Sequence, residues 1–209
     1  MQDANLRGAN FQEADLSEAN LNRANMEKAN LRLANLCRAC LWKANLEDAD
    51  LEGADLFNAD LRGIRLKGAN LVGVILQGTI LEGIELAGSD LRGTNLKATN
   101  LRGANLEGSN LKGAKLHGTD LRNANLRSVN LSKAVLCGAE LQSADLQCAN
   151  LAGADLAGAN FRGADLRNVS GLTCDQLIRA RGLHKDKLDA ELSKQIEESH
   201  PDLFEEWTS

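Results

Sequence analysis

A large apolar residue occupies every fifth position from Leu6 to Leu166, in thirty-three steps without an insertion. Thirty of these central residues are Leu, and the others are Phe11, Met26 and Phe161. A period of five fits neither an α-helix, whose apolar residues recur three and four positions apart, nor a half-buried strand, whose apolar residues alternate. Repetition at a short fixed period is typical of a solenoid, in which each unit buries its apolar face against its neighbours. The period therefore predicts a repeat architecture.

The residues around each central residue follow one order. Two positions before the centre, Ala occupies twenty-three of thirty-three positions, and Ser, Thr, Val or Ile occupies the rest. Asn or Asp stands directly before the centre in twenty-five units, and the two positions after it are mostly charged, polar or Gly. We therefore expect one small and one large apolar side chain to point inward in each unit, and the other three positions to face solvent.

The run Ala-(Asp/Asn)-Leu-X-X, as in residues 4–8 and 104–108, resembles the signature of the pentapeptide-repeat family, and the resemblance covers residues 4–170. It implies an all-β solenoid, a right-handed quadrilateral β-helix in which four pentapeptides form the four sides of each coil. Residues twenty positions apart would then stack. With about 4.8 Å between neighbouring backbones, about eight coils give a rod roughly 40 Å long.

Glycines mark the corners of the expected square. Seventeen of the nineteen lie two positions after a centre, where a turn whose third residue has a positive φ favours Gly. Between Gly53 and Gly118 twelve of fourteen corners are Gly, but between Gly8 and Asp48 only the first of nine is. Because charged and branched residues disfavour positive φ, we predict negative φ and looser turns at the corners before about residue 50.

The small inward position changes in the middle of the chain, where larger residues replace Ala. These residues are Ile64, Val74, Thr79, Ile84, Ser89, Thr94 and Thr99. Extra volume at this position should widen the coil. Alternatively, the core compensates locally, since cores tolerate changes of shape when their total volume is kept.

The period stops after Val169, and the tail predicts helices. Thr173 and Gln176 have the spacing of a capping box, and Gly182 would end that helix. A second helix is predicted over about residues 185–197. The residues expected to pack on the last coil, or to lie in a third helix that begins near Pro201, are Leu177, Ile178, Leu188, Leu192, Ile196, Leu203, Phe204 and Trp207.

We therefore predict two domains, a β-helix over residues 1–170 and an α-helical C-terminal cap over residues 171–209. The run Leu-Thr-X-X-Gln-Leu at residues 172–177 resembles the ending of cyanobacterial pentapeptide-repeat proteins. Met1 already stands in the register of a centre, so either the sequence is part of a longer chain or its first coil docks on another molecule. A homodimer through a coil end or through the C-terminal helices is one form of such docking. No long apolar run or leader is present, and we expect a soluble, cytoplasmic protein with no membrane partner.

The distribution of charge tests the functions that the resemblance implies. The best-known one is mimicry of duplex DNA by an acidic rod, which protects or inhibits a type II topoisomerase. Residues 1–170 hold nineteen Lys and Arg against twenty Asp and Glu, whereas the tail holds five against nine. A DNA mimic should carry a field of one sign, and direct binding of nucleic acid needs a basic stripe or aromatic platform that is absent here. Topoisomerase protection therefore stays as the alternative function.

Catalysis has no support in the sequence, and we expect no enzyme, no cofactor and no metal. The three histidines, at positions 117, 184 and 200, stand far apart and form no metal-type cluster. Cys37 and Cys40 form a Cys-X-X-Cys without a second pair. Incidental thiols, a redox-dependent disulfide and a redox activity that would need a lowered thiol pKa all remain open for them.

One group of outward positions is apolar where polar residues are expected. This wall patch consists of Leu33, Cys37, Cys40, Trp42, Phe57, Val72, Ile75 and Ile80. In the square coil most of them fall on neighbouring sides of coils two to four, with Arg38, Lys43 and Arg62 around them. Apolar patches with aromatic residues and Arg are typical of protein interfaces, although such side chains can also simply lie flat on the wall. We therefore predict a rigid, non-enzymatic scaffold that binds a protein partner.

Overall fold

The computed structural model of the chain describes residues 1–184, 187–200 and 204. The repeats form a right-handed quadrilateral β-helix of about eight coils, as the period predicts. Parallel bridges join residues twenty positions apart, from Asn5 with Asn25 to Asn150 with Ser170. Each side of a coil contributes one bridge residue rather than an extended strand.

The four sides are numbered here in chain order. In the first coil, side 1 is residues 4–8, side 2 is 9–13, side 3 is 14–18 and side 4 is 19–23, and each recurs every twenty residues. The core is the stack of inward residues. Every central residue from Leu21 to Leu166 is at most 3% exposed, so the leucine columns fill the axis as expected.

Hydrogen bonds between coils follow a fixed pattern. The central amide donates to the carbonyl nineteen positions later, as Leu46 N–H does to Arg65 at 2.8 Å, and the corner amide does the same, as Lys28 N–H does to Glu47 at 2.9 Å. The residue before the centre donates back to the coil below, as Asn45 N–H does to the Ala24 carbonyl at 3.0 Å. Each unit therefore makes three backbone bonds to its neighbouring coils.

The prediction of negative φ at the early corners is wrong. All thirty-four corners from Asp3 to Asn168 have positive φ, between 52° and 74°, and seventeen of them are not Gly. At the corners from Asp3 to Gly163 the central carbonyl accepts the N–H three positions later, as Leu6 does from Ala9 at 3.0 Å, and at most of them the corner N–H bonds to the next coil. These bonds fix the turn, and they override the roughly 1–2 kcal/mol that an L-residue loses at positive φ.

The Asn and Asp residues before the centres do more than face solvent. Their side-chain oxygens accept the backbone N–H two positions later, as Asp15 does from Ser17 at 3.0 Å and Asn150 does from Ala152 at 3.0 Å. This Asx-type bond satisfies the first amide of each turn. It explains why Asn and Asp dominate that position, which the sequence analysis attributed only to contact with water.

Helices α1 and α2 follow the last coil in the described part of the chain. Helix α1 spans Cys174–Leu177 and begins with the predicted capping box, in which Thr173 and Gln176 exchange hydrogen bonds. Helix α2 spans Ala190–Ser199, a few residues later than predicted. Among the residues expected to pack, five are confirmed as buried or packed on the core: Leu177, Leu188, Leu192, Ile196 and Phe204. Pro201, Leu203 and Trp207 lie outside the described residues.

Two expectations for the tail are wrong. Ile178 is 36% exposed instead of facing the last coil. Gly182 does not end α1, which stops at Leu177. With φ +75°, Gly182 instead passes so close to the last coil that a Cβ would lie 2.7 Å from the Arg162 nitrogen. Only Gly fits such a backbone approach.

The tail continues the hydrogen bonding of the rod. Phe161 N–H donates to the Arg181 carbonyl at 2.8 Å, and Leu166 N–H donates to the Lys187 carbonyl at 2.8 Å. The Asp189 carboxylate accepts Asn168 N–H at 2.8 Å. These bonds hold the tail against the end of the core. Within the described part of the chain, no helix is long and apolar enough to span a membrane.

Candidate partner-binding site

The ladder of parallel bridges and backbone hydrogen bonds that joins successive coils is interrupted at one place. Within residues 25–170, all of which are described, bridges are missing between residues 60 and 80, 65 and 85, and 70 and 90. Eight of the expected backbone hydrogen bonds are absent there, and the bonds resume with Gly73 N–H to Arg92 at 2.9 Å. We call residues 59–71 the lower lip and residues 79–90 the upper lip.

Side 3 remains closed and acts as the hinge of this interruption. Leu56 N–H donates to Ile75 at 2.8 Å, Ile75 N–H to Ala54 at 3.0 Å, and Leu76 N–H to Asn95 at 2.8 Å. The open bridges lie on sides 4, 1 and 2. Because side 1 is opposite side 3, the two parts of the rod meet as a wedge that opens on side 1.

Side-chain volume on side 1 accounts for the opening. In the small inward position Ile64 and Ile84 are twenty residues apart, and this is the single place where two Ile residues follow each other in such a column. Ile64 is 8% exposed and Ile84 is only partly buried. Two Ile side chains in succession at this position exceed the space that Ala leaves between coils, and cores that are overfilled shift their backbone. The larger residues thus separate the coils here instead of being absorbed locally.

Three Asx bonds are also missing at the lips. The positions directly before the centre hold Arg65, Ile80 and Glu85, none of which makes the bond to the N–H two residues later. Where a residue other than Asn or Asp occupies this position in the closed ladder, a side chain of the neighbouring coil can accept the same N–H instead. At Cys40, for example, Asn22 Oδ1 of the coil below accepts Trp42 N–H at 3.0 Å. The lips therefore combine excess volume inside with fewer turn bonds outside.

The wedge contains a cleft of about 650 Å³ along sides 4 and 1. Its floor is apolar, and Ile80, at 51% exposed, stands at its rim. The floor residues are Leu61, Ile64, Leu66, Leu81 and Ile84. The lower lip carries Arg62, Arg65 and Lys67, whereas the upper lip carries Glu82 and Glu85. The cleft is thus an apolar slot between a basic and an acidic edge.

Existing ion pairs hold two of the basic residues on the lower lip. Arg62 binds Asp60 at 2.7 Å, and Arg65 binds Glu47 at 2.8 Å. Hydrogen bonds from Arg62 keep the pKa of Asp60 below its usual value. In the first three coils an Arg twenty residues from an acid pairs with it, as Arg7 does with Glu27 at 3.1 Å. At the wedge the corresponding columns are Arg62 with Glu82 and Arg65 with Glu85, and neither pair is in contact among the described ion pairs.

The wall patch is divided by the square cross-section. Leu33 stands at the corner between sides 2 and 3, and Val72 lies on side 2. Side 3 holds Cys37, Phe57 and Ile75, and side 4 holds Cys40, Trp42 and Ile80. Leu33 and Ile80 are exposed, at 56% and 51%, and the other six are half-buried. The register places Phe57 directly above Cys37, and it places Ile80 at the cleft.

The Trp42 ring is already covered on the wall. The Lys43 ammonium lies 4.5 Å from the ring centroid, and the Arg23 guanidinium carbon lies 6.0 Å away. Such cation–π contacts keep the indole flat and partly screened. Ile80 is the one member of the patch that also lines the cleft.

Comparison with known proteins identifies the family. The Pentapeptide repeats family matches the chain in overlapping segments from residue 1 to residue 170. The crystal structure of HetL, a pentapeptide repeat protein involved in heterocyst differentiation regulation in the cyanobacterium Nostoc sp. strain PCC 7120, is 34% identical, with 80% of this chain and 86% of that chain covered and a TM-score of 0.57. This chain belongs to the pentapeptide-repeat family.

A second solved structure shares the fold. A trypsin-treated variant of QnrB1, a plasmid-mediated fluoroquinolone resistance protein, is 23% identical, with 91% of this chain and 85% of that chain covered and a TM-score of 0.52. At this identity the likeness shows the pentapeptide-repeat fold alone. The similarity to HetL supports the cyanobacterial type expected from the tail. Among curated proteins, none matches this chain.

The cysteines of this pentapeptide-repeat protein are all free. Partial burial and the neighbouring Asp55 raise the pKa of the Cys37 thiol, and partial burial and Asp155 do the same for the pKa of Cys137. The Cys137 thiol donates to Asp155 Oδ2 at 3.0 Å. A raised pKa lowers the thiolate fraction and opposes redox activity. Among the described residues, no group of three His, Cys, Asp or Glu side chains could hold a metal ion.

Sequence reasoning located the patch but missed the cleft. The signal is present in the sequence, because Ile64 and Ile84 are both large residues in the small position and their separation of twenty residues stacks them on one side. The clustering of Arg65, Ile75, Ile80 and Glu85 where Asn or Asp is usual marks the same stretch.

Proposed function

We propose that this pentapeptide-repeat protein is a non-enzymatic scaffold that binds a protein partner through sides 3 and 4 of its first half and through the adjoining cleft. One observation carries the proposal. The outward apolar residues and the interruption of the ladder lie together between residues 33 and 85, whereas the walls beyond residue 90 are mostly polar. An apolar surface of this kind, bordered by charged residues, is typical of a protein-binding site.

The rod supports this function physically. Its core is continuous and its side chains are held in columns, so the walls present groups at fixed spacings along one axis. Binding to a preorganised surface costs less conformational entropy than binding to a mobile one.

The test is affinity capture from an extract of the native organism with matched variants. Trp42→Gln with Phe57→Gln changes the wall patch. Arg102→Gln with His117→Gln changes exposed positions in the same two columns, nearer the C-terminus. We expect the first variant to lose partners that the wild type and the second variant retain, at unchanged thermal stability. Identical partners for all three proteins would refute a role for the patch.

Topoisomerase protection is the competing function. The fold likeness to QnrB1 allows it, but the charges of the walls oppose it, because acids and bases alternate and pair, as Arg32 does with Glu52. Such pairs cancel the one-signed field that a DNA mimic needs. A supercoiling assay with purified gyrase decides between the two. We expect no protection from a quinolone and no inhibition, and clear dose-dependent protection would favour the alternative.

A further inference from the structure

We propose that the cleft binds an extended segment of a partner protein, which pairs with both lips as an additional rung of the β-helix. This inference rests on the proposed scaffold function and defines the chemistry of one ligand. The two surfaces can be tested separately, because the wall patch centres on Trp42 and Phe57 and the cleft centres on Ile64 and Ile84.

The backbone of both lips has unpaired hydrogen-bonding groups. Eight N–H groups and eight carbonyls that pair with a neighbouring coil elsewhere lack that partner here, within a stretch that is fully described. Among them, the amides of Leu61, Leu66 and Leu71 belong to the lower lip, and those of Ile80 and Glu85 to the upper lip. Backbone groups withdrawn from water need hydrogen-bond partners. An extended peptide supplies donors and acceptors along both of its edges, as in β-strand addition.

The shape of the inner column also supports a ligand in the cleft. Ile64 and Ile84 are too large to stack directly, but a small side chain between them would restore the alternation of volumes along the column. A large residue two positions further along the ligand would fall in the adjoining central column, where Leu66 and Leu86 are 3% and 2% exposed, so the lips must part further to admit it. The ligand should therefore carry a small and a large apolar residue two positions apart. A cleft of about 650 Å³ lies within the usual range of ligand sites, about 300–1,000 Å³.

Polar groups on the two sides of the cleft can pair with the ligand. A residue directly before the ligand's large side chain would lie in the column of Arg65 and Glu85. Asn fits there, because its carbonyl oxygen can accept from Arg65 and its amide can donate to Glu85. The same contact is made on the other face of Glu85, where Asn105 Nδ2 donates to Glu85 Oε2 at 2.8 Å. An acidic residue after the large side chain would lie in the column of Lys67.

The probe is a fluorescein-labelled synthetic peptide, Ala-Asn-Leu-Glu-Gly-Ser-Asn-Leu-Lys-Gly, which copies residues 104–113. It has the small-polar-large order that the cleft requires. The control peptide has both leucines replaced by serine. Binding to the full chain is measured by fluorescence anisotropy, and amide hydrogen exchange of the chain is measured with and without peptide. We expect the serine peptide to bind at least tenfold more weakly, and the amides of Leu61, Leu66 and Leu71 to gain protection on binding.

A pair of variants separates the cleft from the general stability of the rod. Ile64→Ala with Ile84→Ala removes the excess volume, so the lips should close and peptide affinity should fall at least tenfold. Val74→Ala with Thr94→Ala changes the same inner position on the hinge side, where the ladder is intact, and should leave affinity within about twofold. Thermal melts establish that both variants are folded.

The outcomes are decisive in each arm. Equal affinity for the two peptides, or binding without protection of the lip amides, overturns the proposal. So does a closed Ile64→Ala/Ile84→Ala variant that binds like the wild type. A failure here leaves the wall patch as a partner surface, because the capture experiment with Trp42 and Phe57 does not involve the cleft. Conversely, a failure of that capture experiment does not affect peptide binding between the lips.

Discussion

The hinge side and the open side of the wedge have the same repeat sequence order but different packing. On side 3, Val74 and Thr94 follow Ala54 in the small inward column, and every bridge from Asp55 through Ile75 to Asn95 is present. On side 1, Ile64 is followed by Ile84 and the bridge is absent. Val74 followed by Thr94 is thus accommodated in this β-helix, whereas two Ile residues in succession are not. The volume that the small inward position tolerates therefore depends on the residues twenty positions away in the same column and not on one repeat alone.

The same comparison distinguishes the coils beyond the wedge. From residue 91 to residue 170 the ladder is continuous, and buried Thr residues occupy several small positions without disrupting it. Their hydroxyls bond to nearby carbonyls, as Thr119 does to Leu96 at 2.7 Å and Thr99 does to Leu76 at 2.8 Å. A buried polar group with a partner costs little. Polarity is therefore tolerated inside the tube more readily than a second branched apolar side chain.

The largest expected effect concerns central residues at different distances from the wedge. Leu106→Ala, in a closed coil, should lower the free energy of unfolding by about 2–5 kcal/mol, as large-to-small changes in packed cores do. Leu66→Ala, in the same column at the lower lip, should cost less, because the backbone there lacks its bonds to the coil above and can relax into the space that is left. Urea denaturation of the two variants measures the difference. Equal losses would mean that the lips are packed as tightly as the rest.

Closing the wedge should stabilise the protein. Ile64→Ala with Ile84→Ala removes two side chains from the open side and lets eight backbone hydrogen bonds form, each worth about 0.5–1.5 kcal/mol. After subtraction of the lost apolar burial, we expect a net gain of about 2 kcal/mol, which is the opposite of the usual effect of such changes in a core. Thermal and urea denaturation test this. A loss of 2 kcal/mol or more would show that the two Ile residues support the ladder.

The corners allow a finer comparison between Gly and other residues. At Gly108, where φ is +64° and nothing lies within 4 Å of an added Cβ, Gly108→Ala should cost about 1 kcal/mol through backbone strain alone. At Ala98, where φ is +52°, Ala98→Gly should gain slightly less, since Gly loses about 0.5–1 kcal/mol more backbone entropy on folding. Differential scanning calorimetry of both variants checks the signs. A neutral Gly108→Ala would mean that the ladder relieves the strain entirely.

The smallest effect is expected in acid. Hydrogen bonds from Arg122 hold the pKa of Asp120 below its usual value of 3.8. A carboxyl with a lowered pKa in the folded state stabilises the protein above its unfolded pKa, and that contribution disappears as the pH falls through the folded pKa. Asp120→Asn should therefore remove a few tenths of a kcal/mol at pH 6, as expected of a partly exposed ion pair, and nothing at pH 2. Equal effects at both pH values would assign the role of Asp120 to hydrogen bonding.

The regular part of this fold could be predicted from the sequence, because one residue type repeats at one spacing and family resemblance supplies the cross-section. The capping box at Thr173 could also be predicted, since it depends only on contacts between residues close in sequence. The positive φ at corner residues such as Glu13 could not be predicted. Residue preferences indicate a negative φ there, but hydrogen bonds between coils determine the turn conformation. The division of the chain at residue 170 and the role of the wall patch stay predictions. The cleft was not predicted, because it depends on a pair of residues, Ile64 and Ile84, that come together only in the folded chain.

Amide hydrogen exchange tests the interrupted ladder most directly. The amides of Leu41, Leu46 and Leu51 bond to the coil above, whereas those of Leu61, Leu66 and Leu71, one coil further on the same sides, do not. Exchange reports the free energy of local opening. We predict strong protection for the first three and exchange at least a hundredfold faster for the second three in the free protein. Uniform protection of all six amides would contradict the wedge, and with it the binding site inferred between its lips.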